Sequence, residues 1–411
     1  MTNLPQGWKW KSLGEICFIT DGTHKTPNYI ETGIPFLSVK NISKGFFDLS
    51  DVKYISLEEH NKLIKRAKPE FGDILICRIG TLGKAIKISL EFEFSIFVSL
   101  GLLKPKVKII SDYLVYFLNS CFIEEWINDN KVGGGTHTAK LNLNILEKCP
   151  IALPPLKEQE RIVGILDENF AKIDENIKIL EQDLLNLDEL MQSALQKAFN
   201  PLKDNAKENY KLPQGWEWKS LGEIANTSSG GTPSRNKKEY WENGNIKWLK
   251  SGELNDGYID FIEENITEEA IKNSSAKIFQ KGTLLIAMYG ATAGKLRILN
   301  LDSTTNQAIC AFLHKDKNIK FLEKFLFYFL FFLRDKIIKD SFGGAQPNIN
   351  QTYIKNLQIP LPPIKEQEQI ASHLDELSSH VKNLKQNYQA QIKDLQELKN
   401  SLLDKAFKGN L

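Results

Sequence analysis

Apolar residues recur at heptad spacing in two stretches of the chain. In 157–200 they fall at Leu166, Phe170, Ile173, Ile177, Leu180, Leu184, Leu187 and Met191, alternately four and three apart. That spacing places all of them on one helix face, and a sustained stripe of this kind packs along a second helix. The prolines Pro154 and Pro155 suit a helix start, Glu158 and Glu160 put negative charge at the positive end of the helix dipole, and Pro201 ends the run. The spacing predicts a second helix over 365–411, where Leu374, Leu377, Val381, Leu384 and Tyr388 keep the alternation and Leu395, Leu398 and Leu402 follow. Each helix covers about 44 residues, about 66 Å at 1.5 Å per residue. Neither can bury its stripe alone. The economical expectation is that each packs on the other; the alternative is that each stripe lies on its own globular part.

The remaining segments, 1–156 and 202–364, have a different pattern. Phe71 to Arg78 and Gly282 to Tyr289 read as a turn followed by a strand. Asp112 to Ile127 and Lys320 to Ile338 have the aromatic-rich spacing of a buried helix. The fold class is therefore α+β: two mixed α/β modules, each followed by a long helix. The most apolar run, Phe325 to Leu333, is too short to span a bilayer, which takes about 20 residues.

The two halves are copies. Leu4-Pro5-Gln6-Gly7-Trp8 returns as Leu212-Pro213-Gln214-Gly215-Trp216, Leu153-Pro154-Pro155-Leu156-Lys157-Glu158-Gln159 returns as Leu361-Pro362-Pro363-Ile364-Lys365-Glu366-Gln367, and Lys197-Ala198-Phe199 returns as Lys405-Ala406-Phe407. The offset is 208 residues throughout. A period this long marks a duplicated domain and not a solenoid, whose repeats run about 20–50 residues. The expected boundaries are 1–156, 157–201, 202–364 and 365–411.

Between the shared blocks the copies diverge: Asp21-Gly22-Thr23-His24-Lys25 stands opposite Ser229-Gly230-Gly231-Thr232-Pro233. One frame with different loops is what two recognition modules with different ligands would carry; neutral drift of surface loops would look the same. Charge changes the picture further. The net charge of the chain is +2, but 157–200 carries 5 basic and 10 acidic side chains and 365–408 carries 7 of each. The modules therefore hold the positive excess, a footprint compatible with DNA. The five cysteines are scattered and form no CxxC pair, which fits a reducing compartment. The start Met1-Thr2-Asn3-Leu4-Pro5 lacks the basic and apolar regions of a secretory signal, so a cytoplasmic location is expected.

Catalytic patterns are missing. Gly80-Thr81-Leu82-Gly83-Lys84 and Gly290-Ala291-Thr292-Ala293-Gly294-Lys295 are too short for a phosphate-cradling P-loop, and no Ser or Thr follows the Lys to hold Mg²⁺. A glycine turn presenting a lysine suits a contact to a phosphate backbone instead. The six histidines form no ligand set, no Gly-x-Ser-x-Gly elbow occurs, and no cofactor or metal is expected.

The duplicated Leu-Pro-Gln-Gly-Trp opening, the glycine-lysine turn and the Pro-Pro-x-Lys-Glu-Gln-Glu helix head together resemble the specificity subunits of Type I restriction-modification systems, over residues 4–411. The resemblance implies two target-recognition domains, each reading half of a split double-stranded DNA site. It also implies two antiparallel helices acting as a ruler, and docking of two DNA-methyltransferase subunits and of restriction subunits. The subunit itself would be no enzyme. A recognition subunit of a related combined restriction-methylation enzyme is one alternative; a coiled-coil adaptor that binds protein is another. Base reading calls for Arg or Lys toward guanine and Asn or Gln toward adenine. The candidates in the first module are Thr23, His24, Lys25, Lys40, Asn41, Arg78, Lys84, His137 and Lys140. In the second they are Ser234, Arg235, Lys237, Lys250, Tyr289, Lys295, Asn306, Gln307, Gln346 and Asn348. The first glycine turn is one residue shorter than the second, so its contacts need not match.

Overall fold

The computed structural model describes residues 4–134, 139–199, 212–315, 320–341 and 348–411. The chain divides into two compact units, 1–181 with 389–411, and 182–388. Each takes one α/β module, the head of the long helix that follows it and the tail of the other long helix.

In the first unit the opening strand Lys9–Ser12 pairs antiparallel with Pro150–Leu153, Trp10 opposite Ala152, so the module closes just before its long helix. Ser12 ends that strand and starts a short helix through a capping box with Glu15, which satisfies two backbone N–H groups that a helix start leaves open. A four-stranded antiparallel sheet follows in the order 17–21, 100–105, 74–77, 85–87. A second sheet has the order 53–55, 34–37, 95–96, and its 34–37 and 95–96 strands run parallel. The strand Ile74–Cys77 is buried along its whole length, and Gly72 ahead of it has a φ of 87°, as the predicted turn requires.

The second unit repeats the plan. Glu217–Ser220 pairs with Gln358–Leu361, and Ser220 forms the same capping box with Glu223. The larger sheet gains a fifth strand: 225–229, 309–314, 284–287, 296–299, 258–259. The smaller sheet has four, 265–266, 246–249, 303–305 and 278–279, again with one parallel pair.

The helices predicted over 112–127 and 320–338 are each broken into two, Ser111–Leu118 with Cys121–Asn130 and Glu323–Phe332 with Arg334–Lys339. At the break in the first module stands Asn119, whose side-chain amide accepts from and donates to the Ala85 backbone and also donates to the Val115 carbonyl, tying the helix end to the 85–87 strand.

The long helices run Leu156–Phe199 and Ile364–Phe407. Every residue of the first heptad stripe is buried or half-buried. In the first unit Lys399 pairs with Asp174 and lies over the Phe170 ring, while Arg161 donates to the Leu411 carbonyl at 3.1 Å. In the second Lys385 pairs with Asp188. There too, Lys197 and Ala198 line a cleft with Gln369 and Ile370, so within each unit a rising number on one helix meets a falling number on the other, and the pieces are antiparallel. The helix tails do more than pair. Phe407 sits 4.9 Å from Phe117 and 5.7 Å from Tyr113, ring centre to ring centre. Phe199 likewise packs 5.3 Å from Phe325 and 5.5 Å from Phe329. The repeated Lys-Ala-Phe is thus an aromatic plug in each module core.

Candidate nucleic-acid interface

The divergent loops leave the sheets at the strand ends, where a shared glycine fixes their path. A Cβ on Gly22 would overlap the carbonyl oxygen of Ile96, and one on Gly230 would overlap that of Thr305, so the backbone can cross there only without a side chain. The glycine-lysine turns are hairpin connections: Cys77 and Ala287 donate to the carbonyls of Lys84 and Lys295 at 2.8 and 2.9 Å. A P-loop joins a strand to a helix, so these turns lack its context as well as its length.

In the first module, Thr23, His24 and Lys25 line an open cleft with Lys62, Leu63 and Arg66. Beneath the cleft lies Asp21, 1% exposed at its side chain, held by Arg66 and Arg78 and touched by His24 at 3.1 Å. Burial by itself would raise the Asp21 carboxyl; the hydrogen bond from Arg66 and the charge and hydrogen bond of Arg78 outweigh it and hold it below the usual range. Arg78 also donates to the Leu141 carbonyl at 2.9 Å and is buried. It is an internal brace, so it leaves the set of base-reading candidates. Asn41 leaves it too: it is 4% exposed, accepts from the Ser38 amide at 2.9 Å and donates to the Asp48 carbonyl at 3.0 Å, which ties its own loop. Lys40 stays exposed beside it. Lys84 covers Gly45, and Lys140 is exposed and bridges Ile79 and Val132 through its backbone. His137 lies outside the described residues.

The second module builds a different surface on the same frame. Arg235 lies over the Trp241 ring at 3.6 Å and 4.8 Å from that of Trp248, and its guanidinium donates to Glu264 at 2.7 Å. Glu264 also holds Lys250. Burial raises the Glu264 carboxyl, but its bonds from Lys250 and Arg235 prevail and keep it low. Ser234 accepts from the Trp241 indole through its carbonyl at 3.1 Å, folding the loop onto itself. Lys237 donates to the Tyr240 hydroxyl at 2.9 Å. Gln307 is exposed and accepts from Thr232 at 2.5 Å, whereas Asn306 donates to Ser251 at 3.3 Å. Lys295 pairs with Asp256, which Arg334 also holds, and Tyr289 bridges Asn348 through the backbone. Gln346 lies outside the described residues. Arg66, Lys62, Trp241 and Glu264 join the site without having been candidates by sequence; the signal available was a cation close to two tryptophans, Arg235 ahead of Trp241 and Trp248.

Residues 5–183 and 213–394, most of the chain, match the family described as Type I restriction modification DNA specificity domain. The chain belongs to that family. It is 27% identical over 432 residues to the StySPI specificity subunit of Salmonella potsdam, covering 99% of this chain and 90% of that one. It is 26% identical over 434 residues to the EcoKI specificity subunit of Escherichia coli K12, with the same coverage. The fold matches a chain from a structural study of Type I restriction-modification complex assembly and conformational transition, with a TM-score of 0.80, 24% identity and full coverage of both chains. It also matches the HsdS subunit of Thermoanaerobacter tengcongensis with a TM-score of 0.59, at 23% identity and covering 100% and 99% of the two chains. The resemblance carried by the repeated motifs is borne out, and the two matched stretches of this specificity-family chain fall one on each copy of the repeat.

Proposed function

We propose that this specificity subunit reads a split, asymmetric DNA target, one half through each module, and brings that target to methyltransferase and restriction subunits while doing no chemistry itself. One observation carries the reading: the two modules share their frame, yet present unlike polar networks where the frame opens to solvent. The first offers His24, Lys25 and Arg66 around a braced aspartate; the second offers Arg235 stacked on tryptophan. Two related modules with unlike surfaces suit two unlike half-sites. The two long helices would then set the unread spacer, and shortening both by equal whole turns should change its length.

The non-catalytic reading rests on the specificity-subunit role that the names of its relatives carry. Burial pushes the thiols of Cys17, Cys77, Cys149 and Cys310 up to about 12, far from a reactive thiolate. Among the described residues no helix is long and apolar enough to cross a membrane, and the reading places the subunit in the cytoplasm with its DNA.

The test is selection from a random-sequence DNA library by this chain purified with its methyltransferase subunits. The reading expects one split motif and binding that falls steeply with salt. Binding with no selected sequence would favour a protein-binding adaptor.

A further inference from the structure

Resting on the DNA-specificity reading, we propose that Arg235 is a guanine-reading residue of the second module and that Glu264 is its positioning residue. A phosphate contact asks for net positive charge and tolerates a mobile side chain. Arg235 is built the other way. Its guanidinium carbon sits over Trp241, 3.6 Å from the ring centre, with Trp248 at 4.8 Å. One nitrogen, Nη2, is spent on Glu264 at 2.7 Å, which cancels a charge and restrains the group against the ring. Trp241 is in turn held by its indole bond to the Ser234 carbonyl at 3.1 Å, and Trp248 by its own to the Gly231 carbonyl at 3.0 Å.

The result is a planar fork of donors with a set orientation, about half exposed, the Arg235 side chain keeping 51% of its accessible surface. The major-groove edge of guanine offers two acceptors, O6 and N7, which a planar guanidinium matches in a bidentate bond and a lysine ammonium matches less well. Lys250 shares the Glu264 carboxylate, so the acid anchors two cations, and a phosphate beside the read base can meet the second one. At the offset position of the first copy stands Pro27, so the device belongs to one module only.

The experiment expresses R235K, R235A and E264Q chains with their methyltransferase subunits, and maps the modified motif and the salt dependence of binding for each. The first half-site serves as an internal control for folding and assembly. The expected result for R235K is loss of a guanine preference at one position of one half-site, by on the order of 10- to 100-fold. The other half and the salt slope stay unchanged. E264Q weakens the preference at that same position and no other. The proposal is overturned if R235K leaves the motif intact while R235A lowers affinity for all sequences and reduces the salt slope by about 1, the behaviour of a phosphate contact. A wild-type complex that selects no motif would instead overturn the underlying DNA-specificity reading.

Discussion

The side chain of Gln159 accepts a hydrogen bond from the Ile110 amide at 2.9 Å, and its amide donates to the Pro154 carbonyl at the same distance. Gln367 does the same in the other unit, with Leu322 and Pro362, at 2.8 and 2.9 Å. Both glutamines are 1% exposed. The repeated Pro-Pro-x-Lys-Glu-Gln block is therefore a clamp joining each long helix to its module. Replacing Gln159 by Ala strands the half-buried Ile110 N–H and the buried Pro154 carbonyl, the carbonyl alone costing about 1–3 kcal/mol. Denaturant unfolding of Q159A should show the first unit melting earlier while the second holds; a midpoint equal to the wild type in both would dismiss the clamp.

The aromatic plugs give a second expectation. Truncating Phe407 to Ala leaves a cavity against Tyr113 and Phe117 and should cost about 3–5 kcal/mol. Hydrogen exchange should quicken in the helix Ser111–Leu118, and F199A should have that effect on Glu323–Phe332. Equal exchange in the variants and the wild type would show that the tails rest on the cores without filling them.

Acid sensitivity should trace to Asp21. Its folded carboxyl titrates below its ordinary value of 3.8, so the folded state binds fewer protons than the unfolded state. The contribution to stability is complete above about pH 4, is lost as pH falls through the folded value, and does not vary between pH 5 and 8. D21N removes this part of the acid limb and also leaves the buried Arg78 without its counter-charge, costing about 3 kcal/mol at neutral pH. Urea titrations at pH 3 and pH 7 check both points, and a D21N protein as stable as the wild type at pH 7 would contradict them.

Thiol labelling offers a quick check on packing. Cys17, Cys77, Cys149 and Cys310 are buried, while Cys121 is half-buried at the start of Cys121–Asn130. Burial raises every one of these thiols, the four buried ones to about 12. Iodoacetamide at pH 8 should modify Cys121 first in the folded chain, and rapid labelling of Cys77 would show the central strand to be open.

Long-range order was legible in the sequence because it rests on repetition and periodicity. The offset of 208 residues and the four-three spacing of leucines predicted two modules and two long helices, and the helices end at Phe199 and Phe407. Side-chain fate was less legible. Arg78 and Asn41 look like base readers by residue type, but their partners are set by the fold: Asp21 lies 57 residues from Arg78, and the Asp48 carbonyl meets Asn41 only once the loop has turned. The plugs were visible as matching Lys-Ala-Phe triplets, yet nothing local says which core a helix tail enters. The Arg235 stack hid for a similar reason, since Glu264 is supplied by a distant loop.

The central claim is that each module reads its own half of the target. It is tested most directly by mapping modified sites in DNA from cells that express this chain with its methyltransferase subunits, as the wild type and as the triple variant T23A/H24A/K25A. The account predicts a split motif whose one half is relaxed or lost in the variant while the other half and the spacer persist. A variant that changes both halves together, or that leaves both untouched, would contradict it.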